Sequence, residues 1–118
     1  MHPNQKLGQS SETAAARYLL SHNYQLLEQN WRFRRKEVDL IAIDKECLVI
    51  IEVKARSSNR FGEAWEFVNQ QKQKFLISAA NQYVQQINWQ GMTRFDIIGI
   101  CLNPYGLRHI EDAFYPSL

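Results

Sequence analysis

One run restricts the fold more than any other: Cys47-Leu48-Val49-Ile50-Ile51, closing on Glu52-Val53-Lys54. The apolar part is too short to span a bilayer and too unbroken for a strand with one wet face. It needs cover on both sides, which puts it in the middle of a sheet flanked by helices. Alternation then sets Glu52 and Lys54 on one face, shared with Leu48 and Ile50, and Val53 on the other. Two opposite charges thus emerge where a buried strand reaches the rim, and burying charge is costly unless something compensates it.

The other elements arrange themselves around this strand. Ser11, Ala15, Tyr18 and Leu19 recur at helical spacing, so a helix is predicted from about Gly8 to Ser21, ended by His22-Asn23. A strand follows from Tyr24 to about Phe33. A second runs Glu37–Ile43, with Val38, Leu40 and Ala42 on one face and Glu37, Asp39, Ile41 and Ile43 on the other. Asp44-Lys45-Glu46 reads as the turn into the central strand. Ala55–Gly62 reads as a loop. A long helix is predicted over about Glu66–Ile87, its apolar stripe drawn from Phe67, Lys74, Phe75, Ile77, Ala80, Val84 and Ile87. After Gly91 come a strand at Arg94–Leu102, a turn at Asn103-Pro104-Tyr105-Gly106, and a short strand at Leu107–Glu111. The expected fold class is α/β: helix, three strands, helix, two strands, with a mixed sheet of about five strands. The long helix acts as a crossover that makes the fourth strand parallel to the third.

At 118 residues the chain suits one domain over 1–118. Met1–Ser10 is polar and lacks the apolar stretch of a signal peptide, so a cytoplasmic protein with no membrane partner is expected. Cys47 and Cys101 lie in strand-like runs without ligand spacing and read as buried thiols. His2, His22 and His109 share no spacing, so a histidine base or zinc site is not indicated. Phosphate-binding glycine loops and serine or cysteine nucleophile motifs are also missing.

The chemistry rests on pairing. Asp39 stands 13 positions before Glu52, and folding the hairpin on Ile43 and Cys47 makes Asp39 and Glu52 near neighbours on adjacent strands. Side-by-side carboxylates repel unless a cation lies between them. Oxygen-only donors suit Mg²⁺ or Mn²⁺ rather than zinc. Asp39, Glu52 and the Val53 carbonyl are the candidate metal ligands. Lys54 is placed to orient the attacking water and offset growing charge, and Glu12 on the first helix is a further carboxylate for the same rim. Glu52-Val53-Lys54 is the chain's one acidic-x-Lys sequence; the plainer alternative is a rim salt bridge from Lys54 to Asp39 or Glu52.

Net charge is only +2, but Arg32, Arg34, Arg35 and Lys36 crowd together, interleaved with Trp31 and Phe33. Positive charge beside aromatics suits a phosphate backbone; a strand edge kept soluble by charge is the competing explanation. Arg56, followed by Arg60, and Lys72 extend the candidate nucleic-acid-binding set. Asp96 is expected to pair with Arg94 or Arg56 structurally.

Asp39 followed by Glu52-Val53-Lys54 matches the PD-(D/E)xK nuclease motif. More closely, the chain resembles the YraN-like family of endonuclease-like proteins, relatives of archaeal Holliday junction resolvases. The matching stretches are Gly8-x-x-x-Glu12-x-Ala14-Ala15, Asn30-Trp31-Arg32, Glu37–Ala42, Ile51–Arg56, Phe61-Gly62, Val68 with Lys72, Arg94–Ile98, and Ala113-Phe114. The resemblance implies a restriction-endonuclease-like fold, with Glu12, Asp39, Glu52 and Lys54 as the metal and catalytic set. Lys36, where the family pattern has Gly, and Ala55, where it has Thr, depart from it without removing a ligand. Three readings follow: a Mg²⁺-dependent endonuclease acting on DNA, with branched or damaged DNA as the candidate substrates; a nucleic-acid-binding module that keeps the fold without cutting; and a protein-interaction subunit. Cutting a four-way junction would add a symmetric homodimer to the first.

Overall fold

Leu48, Val49, Ile50 and Ile51 are all at most 1% exposed, as expected for a strand covered on both faces. In this computed structural model, which describes residues 3–56 and 68–116 (side chains from residue 10), that strand is the centre of a five-stranded sheet. The elements are α1 (Pro3–Ser21), β1 (Gln25–Phe33), β2 (Lys36–Asp44), β3 (Cys47–Arg56), α2 (Gln70–Ile87), β4 (Met92–Leu102) and β5 (Tyr105–Phe114). Sheet order is β1-β2-β3-β4-β5. The β3–β4 pair is parallel and the other pairs are antiparallel. The fold is therefore the expected α/β class in the expected order. Most of the Ala55–Gly62 loop, Arg60, the Phe61-Gly62 match, and Glu66 and Phe67 lie outside the described residues.

Each sheet face carries its own core. Val49, Ile51, Ile98 and Ile100 pack with Ala15, Ala16 and Leu19 of α1. Leu48, Ile50, Phe95 and Ile97 pack with Leu76, Ala79, Ala80 and Tyr83 of α2. Clusters of this size are the main favourable term in folding.

Several boundaries differ from the sequence reading, each for a physical reason. Helix α1 starts at Pro3, not Gly8: proline fits the first helical position, and the polar Asn4-Gln5-Lys6 segment carries the helix on without an apolar stripe to mark it. The buried stripe of α2 is Leu76, Ala79, Ala80 and Tyr83, while Lys74 and Ile87 are exposed. Tyr83 can be buried because its hydroxyl donates to Glu28 Oε2 at 3.0 Å. The β2–β3 hairpin closes on Asp44–Cys47 rather than Ile43–Cys47, around Lys45 at φ 57°; the two-residue turn suits the strand twist. Gly91 lets β4 begin beside that turn, since a Cβ there would lie 2.8 Å from the Glu46 carbonyl oxygen. Tyr105 and Gly106 already belong to β5, which continues to Phe114. The extension past Glu111 passes a register shift opposite Phe95–Ile97 and then stacks Phe114 on Phe95 at 5.0 Å. Cys47 and Cys101 form no disulfide; the first is partly exposed and the second buried.

A candidate metal centre at the rim of β3

The site begins where the β2–β3 ladder stops. Backbone pairing runs from Asp44–Cys47 to Leu40–Ile51. At the next step the Asp39 carboxylate replaces a backbone acceptor: the Val53 N–H donates to Asp39 Oδ2 at 2.8 Å. The interruption also breaks the expected alternation of β2. Val38 packs with Ile41 and Leu48 on the α2 side, whereas Leu40 and Ala42 pack on the α1 side. Asn30 stands opposite Asp39, between the pairs Gln29–Leu40 and Trp31–Val38, in the left-handed conformation at φ 52°. Asparagine tolerates that conformation better than most residues.

Glu52 lies beside Asp39 on the α2 side. Burial first, and then the neighbouring charge of Glu52, push the Asp39 carboxyl up to about 7, against the opposing Val53 N–H. Glu52 Oε2 is 3.5 Å from Lys72 Nζ on α2, while Glu52 Oε1 is buried without a hydrogen-bond partner among the described residues. A buried, unpartnered carboxylate oxygen is costly. Together the pair offers oxygen donors, excess negative charge and one unsatisfied atom, and a hard divalent cation would answer all three. The donor set fits such an ion.

The other expected residues take graded positions. Glu12 approaches from α1. Its carboxyl is raised by burial and by the Asp39 charge, and a hydrogen bond with Asn30 works against this. Glu12, Asp39 and Glu52 do not close into one cluster: among the described residues no three His, Cys, Asp or Glu side chains form a ready metal-holding group. The direct acidic set is therefore two, with Glu12 acting on it through charge. Lys54 is half-buried, and burial lowers its ammonium pKa despite the attraction of Glu52. Arg56 is exposed at the end of β3, and Glu37 is exposed on β2.

The basic residues form a hairpin at the same end of the sheet. Phe33 pairs with Lys36 across an Arg34-Arg35 turn, with Arg34 at φ 60°. Arg32, Arg34, Arg35 and Lys36 are all exposed. Arg34 lies over the Phe33 ring at 4.8 Å, and Lys36 and Lys72 both lie over Phe75, at 5.7 and 5.5 Å. Trp31 stacks on Phe33 at 6.0 Å, so the aromatics that interleave the cations form the hairpin's packed side.

Asp96, by contrast, pairs with Arg94, at 2.9 Å through both Nε and Nη2. His109 Nε2 lies 2.7 Å from Asp96 and its Nδ1 lies 2.9 Å from the Tyr18 hydroxyl. Spacing could not reveal this role for His109, because its partners come from α1 and β4. Asn30 was likewise legible only as a residue that accepts a left-handed backbone.

A family model described as uncharacterised protein family UPF0102 matches residues 11–100. The chain belongs to this family. The matched span holds Glu12, Asp39, Glu52, Lys54 and Lys72. The UPF0102 protein of Chlorobium chlorochromatii is 40% identical over 118 residues, covering 93% of this chain and 92% of that protein. The UPF0102 protein of Flavobacterium johnsoniae is 38% identical over 125 residues, covering 98% of each. That of Phocaeicola vulgatus is 33% identical over 120 residues, covering 100% of this chain and 99% of its own. Among the described residues of this UPF0102 chain, no helix is long and apolar enough to cross a membrane.

Proposed function

We propose that this UPF0102 protein is a divalent-metal-dependent nuclease of the PD-(D/E)xK type, with a restriction-endonuclease-like core, hydrolysing phosphodiester bonds in DNA. The observation that carries this reading is the Asp39–Glu52 pair, with its unpartnered Glu52 Oε1, one alternation step from Lys54.

Asp39, Glu52 and the Val53 carbonyl would hold Mg²⁺ or Mn²⁺. When bound, such an ion polarises a phosphoryl oxygen and makes water a better nucleophile. The chain's own groups do the rest. The Val53 N–H fixes the Asp39 carboxylate and so sets the distance between the two acids. Lys54 Nζ orients the attacking water and offsets charge growing on the phosphoryl oxygens. Glu12, hydrogen-bonded with Asn30, adds negative potential on the α1 side, suited to a water-mediated contact with the ion. Arg32, Arg34, Arg35 and Lys36, with Arg56 and Lys72, hold the phosphate backbone across the rim.

The test is cleavage of branched, nicked and single-stranded DNA in Mg²⁺ or Mn²⁺ by wild type and Glu52→Ala. Cleavage by wild type alone supports the nuclease. Equal inertness across the panel refutes it. If a four-way junction is the preferred substrate, paired incisions require a symmetric dimer, which sedimentation would detect.

A second reading is a nucleic-acid-binding module that does not cut. It is favoured by the absence of a three-carboxylate group among the described residues and by the Lys72–Glu52 contact. It expects salt-sensitive DNA binding that needs no metal and survives Glu52→Ala.

A further inference from the structure

We propose that Lys72 is an internal counter-ion at Glu52, competing with a divalent cation there and passing to substrate phosphate once the cation is bound. The proposal rests on the metal-dependent reading above and assigns Lys72 a gating role beyond simple contact with DNA.

Four observations carry it. The Lys72–Glu52 separation of 3.5 Å is longer than a direct charge-assisted hydrogen bond of about 2.8 Å, so the ammonium is near the carboxylate without locking onto it. Among the described residues Glu52 Oε1 remains buried and unpartnered even so: that one ammonium does not satisfy this carboxylate, and a smaller, doubly charged ion would reach further into it. The Lys72 backbone is anchored, its N–H donating to the Asn69 cap at 2.8 Å, while its side chain is 30% exposed. The stem can therefore swing about a fixed Cα. Lastly, Phe75 marks where it can go. The Lys72 and Lys36 ammoniums already lie over that one ring, at 5.5 and 5.7 Å. Released from Glu52, Lys72 joins Lys36 around that ring as a second cation beside the basic hairpin, available to the phosphate backbone.

The consequence is a pair of opposite effects at one residue. Without DNA, Lys72 lowers the affinity for the cation; with the cation bound, it raises the affinity for DNA. Calorimetric titration with Mn²⁺ and binding of a labelled, cleavage-resistant phosphorothioate DNA measure the two separately. Lys72→Met keeps the apolar stem over Phe75 and should bind Mn²⁺ at least about threefold more tightly than wild type, the scale of one partly exposed ion pair. It should lose more affinity for the phosphorothioate DNA in Mn²⁺ than in EDTA. Lys72→Arg should behave as wild type towards Mn²⁺, and Lys72→Gln repeats the test if the methionine variant folds poorly. Unchanged or weaker Mn²⁺ binding by Lys72→Met, with Glu52→Gln abolishing it, overturns the counter-ion role and leaves the metal centre standing. Identical titrations of wild type and Glu52→Gln overturn the metal centre, and this proposal with it.

Discussion

Two buried carboxylate centres sit one register step apart in the sheet and are treated in opposite ways. Asp96 pairs with Ile51 across β3–β4, and Glu52 pairs with Ile97. Asp96 shares the α1 side with Ile98 and Ile100; Glu52 shares the α2 side with Leu48 and Ile50. The Asp96 side chain is fully buried, yet it receives Arg94, His109 and the Asp112 N–H at 3.0 Å. Burial raises its pKa, but those hydrogen bonds outweigh burial and hold the carboxyl below its ordinary value. At the rim, the Val53 N–H donates to Asp39 and Lys72 stands 3.5 Å from Glu52, yet burial and the Glu52 charge push Asp39 up to about 7. A fully compensated carboxylate ties elements together. An under-compensated pair at a rim is where stability has been given up, and such places are candidates for function.

The largest effect that tests this contrast is on activity. Glu52→Gln should reduce DNA cleavage by at least about 100-fold while leaving the far-ultraviolet spectrum intact; comparable turnover by the variant would remove the functional half of the comparison. Next comes stability at the other centre. Asp96→Ala strands the partly buried Arg94 and should cost about 3–5 kcal/mol in chemical denaturation. A loss within about 0.5 kcal/mol would show that the network is not structural.

The sign should reverse at the rim. Glu52→Gln relieves repulsion with Asp39 and should stabilise the metal-free protein by about 1 kcal/mol, and added Mn²⁺ should stabilise wild type but not the variant.

The pH dependence sharpens the same point. Asp39 rises from 3.8 to about 7 on folding, so the folded state holds its proton where the unfolded state has lost it. Stability from this group is full below about pH 4 and is lost as pH rises through about 7. Wild type should therefore lose stability relative to Asp39→Asn between pH 5 and pH 8. A flat difference would mean that neither burial nor Glu52 raises the Asp39 carboxyl on folding. The smallest effect expected is at the hairpin tip: Arg34→Ala should weaken DNA binding severalfold and reduce its salt slope by about 1, with stability changed by under about 0.5 kcal/mol.

Much of the fold was legible in local pattern. The apolar run of β3 with Glu52 and Lys54 on one face, the helix marked by Ser11, Ala15 and Leu19, and the parallel β3–β4 crossover all follow from periodicity and connection rules. The adjacency of Asp39 to Glu52 was legible too, because a short hairpin leaves few registers open, even though the turn proved to close one residue later on β2. The α2 stripe was legible in part: Phe75, Ile77, Ala80 and Val84 pack on the core as their spacing implies, whereas the burial of Tyr83 depends on Glu28 from another element.

By itself, then, the sequence determined the α/β order, the covered central strand and the two acids and lysine at its end, because strand alternation and hairpin pairing are properties of neighbouring residues. Tertiary structure alone decided that Asp96 is satisfied and Glu52 is not, that Lys72 reaches Glu52, and that Glu12 meets Asp39 through charge. Those outcomes depend on groups far apart in the chain and on how much water is excluded between them, and spacing along one strand encodes neither.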